Sequence, residues 1–321
     1  MRKNALSLAI TLAMFATAAW APAAEPPAWA YPVNPPAAAP AKDDGRLQHV
    51  PDSAAAFTRV QISAVGGSVA DWHPEEHPVM PAIVAVRREP LIVACGYCHL
   101  PNGAGRPENA SLAGLTAAYI KQEVLAFRRG ERPGPVPARA PQSTMIKIAA
   151  TVTDEEIDAA AAYFAAIKPA GFLRVVETET VPGTTVAGWM LTPVPGAPLE
   201  PIGNRIVEVA EDFERFERRD TRTSYVAYVP VGSIARGAEL TATGGGGLTL
   251  QCVTCHGPEL RGLLDVPRLA GRSPSYLMRQ LYDIRHGARQ GPATELMKPV
   301  VANLTEEDMV AIVAYLASLS P

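Results

Sequence analysis

The chain contains few cysteines, and none of them is spare. Among its 321 residues there are four, all of them in two copies of the pattern Cys-x-x-Cys-His, which read ACGYCHL and QCVTCHG. The two copies consist of Cys95, Cys98 and His99 near the N-terminus, and of Cys252, Cys255 and His256 near the C-terminus. No cysteine is therefore left for a separate disulfide, a catalytic thiol or a third metal ligand.

The sequence also lacks a large excess of charge and, after its first residues, a long apolar run. The formal net charge is −3, which argues against a nucleic-acid partner. Beyond Trp20 no stretch approaches 18 apolar residues, so we expect no membrane span in the mature chain. The four glycines at 244–247 are not followed by Gly-Lys-Ser/Thr, which excludes a P-loop.

The N-terminus has the pattern of an export signal. Arg2 and Lys3 precede an apolar run over residues 5–20, and small residues follow at 19–24. The run is short for a span and Pro22 follows it closely, so we predict a cleaved signal peptide over residues 1–24 rather than a membrane anchor. The mature protein would then be periplasmic.

Three kinds of site use a Cys-x-x-Cys pair: a redox dithiol, half of a zinc site, and the attachment point of a c-type haem. Only haem attachment uses the histidine that follows, which can bind the iron from beneath the ring. Zinc pairs commonly lie about 15–20 residues apart, whereas Cys98 and Cys252 are 154 positions apart. We therefore predict two covalently bound haems, attached through Cys95, Cys98, Cys252 and Cys255, with His99 and His256 as iron ligands.

The residues after each motif form an internal repeat. Leu112 and Leu269 both lie 13 residues after the histidine of their motif. Farther on, the register slips by five residues and then returns, because Met145 and Met297 each precede a threonine by 8 residues. The two methionines therefore occupy equivalent positions, in loops just before a closing helix.

Sequence patterns predict further elements. Closing helices begin at Thr153 and Thr305, each an N-cap with an acidic residue three positions later, and amphipathic helices cover 115–129 and 273–286. Met278 and Met309 fall inside helical apolar stripes and are interpreted as core.

Two other regions differ in texture from the repeat. Residues 171–232 contain β-prone runs and are predicted as a β-rich insert. Its cluster EDFERFERRDTR, residues 211–222, is interpreted as a solvated face, with partner docking as the alternative. Residues 25–41 are rich in Pro and Ala and are predicted as an extended, poorly packed arm.

With these features, each repeat resembles a class I cytochrome c domain, and the chain resembles the tandem dihaem cytochromes c. The resemblance implies a mainly α fold, with an N-terminal arm over 25–74, cytochrome c domains over 75–170 and 233–321, and the β-rich insert over 171–232 between them. It implies Met145 and Met297 as the second iron ligands. It also implies that each histidine donates to a backbone carbonyl eleven residues on, at Pro267 in the second unit and Ala110 in the first.

The resemblance further implies a periplasmic carrier that moves electrons from a dehydrogenase to an oxidase or reductase, with a redox protein as donor and another as acceptor. The alternatives are a dihaem enzyme, either a peroxidase or a thiosulfate-oxidising cytochrome, and an electron-transfer subunit held permanently by a dehydrogenase. A peroxidase needs an open iron position, and the thiosulfate-oxidising enzymes use a further cysteine ligand. The chain offers neither, so a carrier is favoured over an enzyme.

Three other histidines require a separate interpretation. His286 could bind the second iron, but it aligns with the end of a helix and is interpreted as a surface or capping residue. His73 and His77 lie four apart in DWHPEEHP, where Pro74 and Pro78 oppose the helix that would direct both towards one metal. We expect this loop to pack beside the first haem.

Overall fold

The computed structural model of the protein describes residues 25–36, 43–63, 67–88 and 93–321. The predicted signal peptide lies outside the described residues. Among the residues that are described, no helix combines the length and the apolar content needed to cross a membrane.

The first helical unit carries the first motif and follows one short helix of the preceding region. The helices of this part of the described chain are α1 (Arg59–Ile62), α2 (Ala82–Ala85), α3 (Cys95–His99), α4 (Ala117–Arg128), α5 (Ala140–Thr151) and α6 (Asp154–Ala165). Side chains from α4, α5 and α6 form its core, which includes Ile120, Ile148, Ile157 and Phe164.

The strands of the described residues all lie between residues 173 and 229. They are β1 (Leu173–Glu177), β2 (Thr180–Pro182), β3 (Thr184–Ala187), β4 (Met190–Pro193), β5 (Leu199–Pro201), β6 (Val207–Ala210) and β7 (Tyr225–Val229), with α7 (Phe213–Glu217) between the last two. One sheet has the order β1-β7-β6, with β1 parallel and β6 antiparallel to β7. Two smaller antiparallel ladders pair β2 with β5 and β3 with β4.

The second helical unit carries the second motif. Its helices are α8 (Ser233–Thr243), α9 (Val253–His256), α10 (Pro274–Arg285), α11 (Pro292–Glu295), α12 (Lys298–Val301) and α13 (Glu306–Ser318). α13 packs against α8, α10 and β1, so the sheet of the insert continues the core of this unit. Met278 and Met309 are fully buried in that core, as predicted.

Capping residues fix where the repeated helices begin. Thr153 and Thr305 each accept a hydrogen bond from the backbone N–H three residues later and complete a capping box, which confirms the predicted starts of α6 and α13. Thr116 and Ser273 cap α4 and α10 in the same way, so those two helices also begin within two residues of their predicted positions.

Equivalent residues of the two units meet at the interface between them. Arg132 Nη2 of the first unit donates to Gln280 Oε1 of the second at 2.7 Å. Arg289 Nη2, the equivalent of Arg132 in the repeat, donates to Glu123 Oε1, the equivalent of Gln280, at 2.8 Å. Both guanidinium groups are largely buried. This reciprocal pattern is that of an isologous contact, so the repeat produces a pseudo-symmetric pair of units.

The interpretation of residues 211–222 as a solvated face was wrong. Phe216, Asp220 and Thr221 are at most 2% exposed. The Arg106 guanidinium of the first unit lies 3.7 Å from the Phe216 ring centroid, and Asn102 donates to the Thr221 carbonyl. The outer side of α7 is solvated, but its inner side packs on the first unit because Phe216 supplies an apolar anchor among the charges.

The prediction of a poorly packed N-terminal arm was also wrong for the part that the structure describes. Ala30 and Tyr31 are at most 3% exposed and belong to the core of the second unit. The Tyr31 hydroxyl donates to Asp283 Oδ1 at 2.5 Å, and Arg279 Nη1 donates to the Ala30 carbonyl at 2.8 Å. These polar contacts hold a Pro-rich segment that has no helix or strand of its own.

Candidate functional site

The first motif forms one turn of helix, α3, in which Cys95 and Cys98 lie three residues apart and so face the same side. Leu100 follows with φ 62°, a left-handed conformation that ends the turn immediately after His99. The carbonyl of Tyr97, between the two cysteines, accepts from Arg219 Nη1 at 2.7 Å. The insert therefore holds the first motif directly.

The second motif has the same design but is more exposed at its second cysteine. Cys252 caps α9, and the turn ends at Gly257, which has φ 83° where the first motif has Leu100. Cys255 is exposed, whereas Cys98 at the equivalent position is half-buried. The two thiol pairs therefore have the same spacing but different access to solvent.

Both histidines are oriented by a backbone carbonyl. His99 Nδ1 lies 2.8 Å from the Ala110 carbonyl oxygen, and His256 Nδ1 lies 2.8 Å from the Pro267 carbonyl oxygen. These contacts confirm the predicted partners eleven residues downstream. Because a carbonyl only accepts, each Nδ1 carries the proton and each Nε2 keeps its lone pair for a metal.

The ionisation of these groups suits a buried ligand set. Burial lowers the pKa of His99 and of His256, so both imidazoles are neutral at pH 7. Burial also raises the pKa of Cys95 to about 12 and that of Cys252 to about 11. Reactive redox dithiols have lowered pKa values, so the first of the three kinds of Cys-x-x-Cys site is disfavoured.

A cavity of about 130 Å³ lies beside His99, and Met145 also lines it. Met145 lies within helix α5, so its placement in a loop was wrong, although a neutral imidazole and a thioether do share one cavity. Met297 stands in the turn between α11 and α12, as predicted, and packs with Cys252 against the core of the second unit.

The cavity beside His99 is lined by apolar side chains and by charged side chains of both signs. The apolar residues include Leu112, Leu115, Ile120, Val124 and Phe127, and the charged residues are Arg132, Arg139, Arg272 and Arg279 together with Glu108, Glu123 and Asp283. Arg272 and Arg279 come from the second unit, so this cavity is completed across the interface. Because four arginines outnumber three carboxylates, a flat apolar ligand that carries anionic groups would match this lining.

Two of these arginines are not fully satisfied within the described chain. The Nε atoms of Arg139 and Arg272 are buried without a hydrogen-bond partner, and both residues are 3% exposed. Burial and the nearby Arg279 lower the pKa of Arg139 to about 9. Glu108 and Asp283 act on Arg139 in the opposite direction, but the two Nε atoms stay unpaired, so carboxylates of a bound ligand would stabilise the two cations further. Haem fits these residues, since it combines an apolar ring, two carboxylates and an iron that accepts imidazole and thioether ligands.

Aromatic side chains connect the His73–His77 loop to the first motif. The His77 ring lies 6.2 Å from the Tyr163 ring, Tyr163 lies 5.1 Å from Phe164, and Phe164 lies 6.2 Å from His99, all measured between ring centroids and all edge to face. This chain of rings places the loop beside the first motif, as expected. His77 Nε2 also contacts Asp71 at 3.1 Å.

His73 and His77 do not converge on one point. The His73 Nε2 atom contacts the buried Asp220 carboxylate of the insert at 3.1 Å. Among the described residues, the groups near enough to share a cation are His73, Glu75 and Glu76, but Arg222 Nη2 already lies 2.7 Å from Glu76 Oε1. His286 caps the C-terminus of α10 and stacks on Tyr282 at 4.1 Å, in agreement with the predicted capping role.

Sequence reasoning missed the arginines of the site. Arg139, Arg219 and Arg272 carry no motif, and nothing in their spacing separates them from surface arginines. For Arg219 the sequence did offer one signal, the high density of arginine near Phe216, but this cluster was interpreted as solvated charge.

Comparisons with known proteins agree with this geometry. A family model described as cytochrome c matches residues 234–320, which contain the second motif and its downstream helices. Cytochrome c-554(548) of Halomonas halodenitrificans is 40% identical over 68 residues, which are 21% of this chain and 82% of that protein.

Two longer matches extend beyond the second unit. The thiosulfate dehydrogenase electron acceptor of Stutzerimonas stutzeri is 26% identical over 233 residues, which are 72% of this chain and 81% of that protein. Cytochrome c4 of Azotobacter vinelandii is 25% identical over 235 residues, which are 70% of this chain and 84% of that protein. Together with the histidine geometry and the family match, these similarities show that the chain belongs to the cytochrome c family, as a class I cytochrome c.

Proposed function

We propose that this protein is a periplasmic electron carrier with two covalently bound haems. Cys95 and Cys98 would hold the first and Cys252 and Cys255 the second. His99 with Met145, and His256 with Met297, would fill the axial positions of the two irons. The observation that carries the proposal is the pair of matched 2.8 Å contacts from His99 and His256 to carbonyls at equivalent positions.

When bound, each haem iron supplies a one-electron couple between its ferric and ferrous states. The residues of the chain contribute the rest. The carbonyls of Ala110 and Pro267 fix the histidine tautomer, so that each Nε2 keeps a lone pair that would bind the iron. The thioethers of Met145 and Met297 would favour the ferrous state and would keep peroxide and oxygen from the iron. Arg139 and Arg272 would receive the haem carboxylates of the first site.

The second unit is proposed as the port through which electrons enter and leave. Leu263 and Leu264, seven and eight residues after His256, are 51% and 86% exposed. The equivalent residues after His99 are Arg106 and Pro107, which are buried. α7 covers Arg106 through Phe216. An exposed apolar rim suits contact with a redox protein, and at these two equivalent positions apolar side chains are exposed in the second unit but not in the first.

A thiosulfate dehydrogenase is the proposed donor. Support comes from two relatives whose names describe them as electron acceptors of that enzyme, in Stutzerimonas stutzeri and in Thiomonas intermedia. The insert is less suited to hold a partner permanently, because its inner surfaces pack on the two helical units of its own chain.

The proposal is tested by the ligand chemistry of the iron. Oxidised protein should show the weak absorption of ferric haem with a thioether ligand, near the red edge of the visible spectrum, from both sites. Added peroxide should bind slowly. A high-spin haem that binds peroxide at once would favour the peroxidase alternative instead.

A further inference from the structure

The loops that orient the two histidines contact each other directly. In the repeat, Ser111 and Arg268 are equivalent, because each is the residue after the carbonyl group that its histidine contacts. Arg268 Nη2 donates to Ser111 Oγ at 3.0 Å across the interface. Equivalent positions of the two units thus meet at one hydrogen bond.

This contact is held firmly in place. Arg268 is 4% exposed, and its other nitrogens donate to the carbonyls of Ala113 at 3.2 Å and Ala270 at 2.7 Å. Arg272 reinforces it, because its Nη2 donates to the Ser111 carbonyl at 3.0 Å. Burial and the nearby Arg272 lower the pKa of Arg268 to about 9. A buried guanidinium with this many fixed acceptors has little freedom to move.

We infer that electrons pass between the two haem sites through this contact, an inference that rests on the proposed function. The path runs from the His99 imidazole to the Ala110 carbonyl, along the backbone to Ser111 and its hydroxyl, and across to the Arg268 guanidinium. From there it follows the whole Arg268 side chain and the backbone to Pro267, whose carbonyl contacts the His256 imidazole. Only three hydrogen bonds, of 2.8, 3.0 and 2.8 Å, join the covalent segments.

With both haems bound, one electron would leave a ferrous iron at one site and arrive at a ferric iron at the other. No bond would form or break, and no proton would need to move, because each Nδ1 proton stays on its imidazole. The path therefore needs rigid short contacts rather than a titrating group, and this is what the buried loops supply.

Ser111→Ala is the test variant, because it deletes the acceptor of the Arg268 hydrogen bond and otherwise removes only a 3.4 Å hydrogen bond from the Ser111 hydroxyl to the Gly103 carbonyl. Asp265→Ala is the matched control. Asp265 Oδ1 accepts from Thr116 Oγ1 at 3.0 Å, which is also a contact between the units but lies off the path. Intramolecular exchange is measured on half-reduced protein by two-dimensional exchange NMR of the haem methyl signals, which differ between ferric and ferrous haem. Intramolecular exchange does not depend on protein concentration, so a dilution series distinguishes it from exchange between molecules.

The inference predicts that exchange becomes several-fold slower in Ser111→Ala and in Arg268→Met, while Asp265→Ala matches the wild type. Each rate is compared at the driving force given by that variant's own two potentials. Unchanged exchange in both path variants would overturn the inference, and so would an equal loss in the control. Failure of the proposed function is distinguishable, because it would appear in the wild type as a missing haem or an open iron position.

Discussion

At the scale of single residues, backbone carbonyls rather than side chains orient the two histidines. His99 and His256 are both oriented by carbonyl oxygens, so the exchange of Pro267 for Ala110 in the first unit leaves the geometry unchanged at 2.8 Å. These partners were implied by the resemblance to class I cytochromes c, because Pro267 and Ala110 each lie eleven residues after the histidine of their motif. The buried arginines were not, because burial of a lone arginine depends on the surfaces that close over it.

Replacing either proposed thioether should change one haem and leave the other intact. Each single variant, Met145→Ala or Met297→Ala, should lose about half of the red-edge absorption of the oxidised protein, and the potential of the affected haem should drop. Absorption spectra and redox titrations measure both effects. Met80→Leu is the control, since Met80 packs against the core of the first unit but does not line the cavity. Loss of the whole band in one variant would contradict the assignment.

Arg139 should tune the first haem through its charge. A nearby cation disfavours the ferric state. Arg139→Gln should therefore make reduction of the first haem less favourable by about 1 kcal/mol, which lowers its potential by tens of millivolts for one electron. Arg139→Lys keeps the positive charge, so the potential of the first haem should stay close to that of the wild type. Arg129→Gln, on a half-exposed side chain, should have little effect. If the potential of the first haem fell as far in Arg139→Lys as in Arg139→Gln, the electrostatic explanation would be wrong.

At the scale of elements, the predictions succeeded where local rules apply. α4, α6, α10 and α13 follow from apolar periodicity and caps, which act within a few residues. The placement of Met145 failed, because α5 lies in the segment where the register of the repeat slips by five residues. The inner face of α7 was missed, since contacts with residues more than a hundred positions away bury it.

The insert is expected to be part of the first site rather than an appendage. Phe216 is 2% exposed, so Phe216→Ala should lower the free energy of unfolding by about 3–5 kcal/mol. It should also loosen Arg219, and with it the carbonyl of Tyr97 in the first motif. Denaturant titrations followed by haem absorption measure both effects.

Glu214→Ala is the matched control on the exposed side of α7, and we expect a change within about 0.5 kcal/mol. A Phe216→Ala protein with wild-type stability and an unchanged first haem would show that the insert is independent.

At the scale of the whole molecule, the two units share one plan but differ in exposure. The insert packs on both units and the N-terminal segment packs on the second, and they leave Leu263 and Leu264 beside the second motif exposed. Under the proposed function, this difference in exposure would set the direction of electron transfer. Electrons would exchange with partners at the second unit and reach the first through the interface.

The exposed rim can be tested separately from the haem sites. Leu264→Asp places a charge on a residue that is 86% exposed, so the haem spectra should stay unchanged while reduction by a thiosulfate dehydrogenase slows. Leu199→Asp, on a 67% exposed leucine of the insert, is the matched control and should leave the rate unchanged. Stopped-flow reduction measures both, and equal slowing in the two variants would argue against a port at the second unit.

The central claim is that each motif holds its own haem, and counting haem in the denatured protein tests it most directly. Covalent attachment survives denaturation, so the intact mass of the unfolded mature chain should exceed that of the polypeptide by two haems. Pyridine haemochrome absorbance should give the same ratio per chain. A chain that carries one covalent haem, or loses haem on unfolding, would contradict the account.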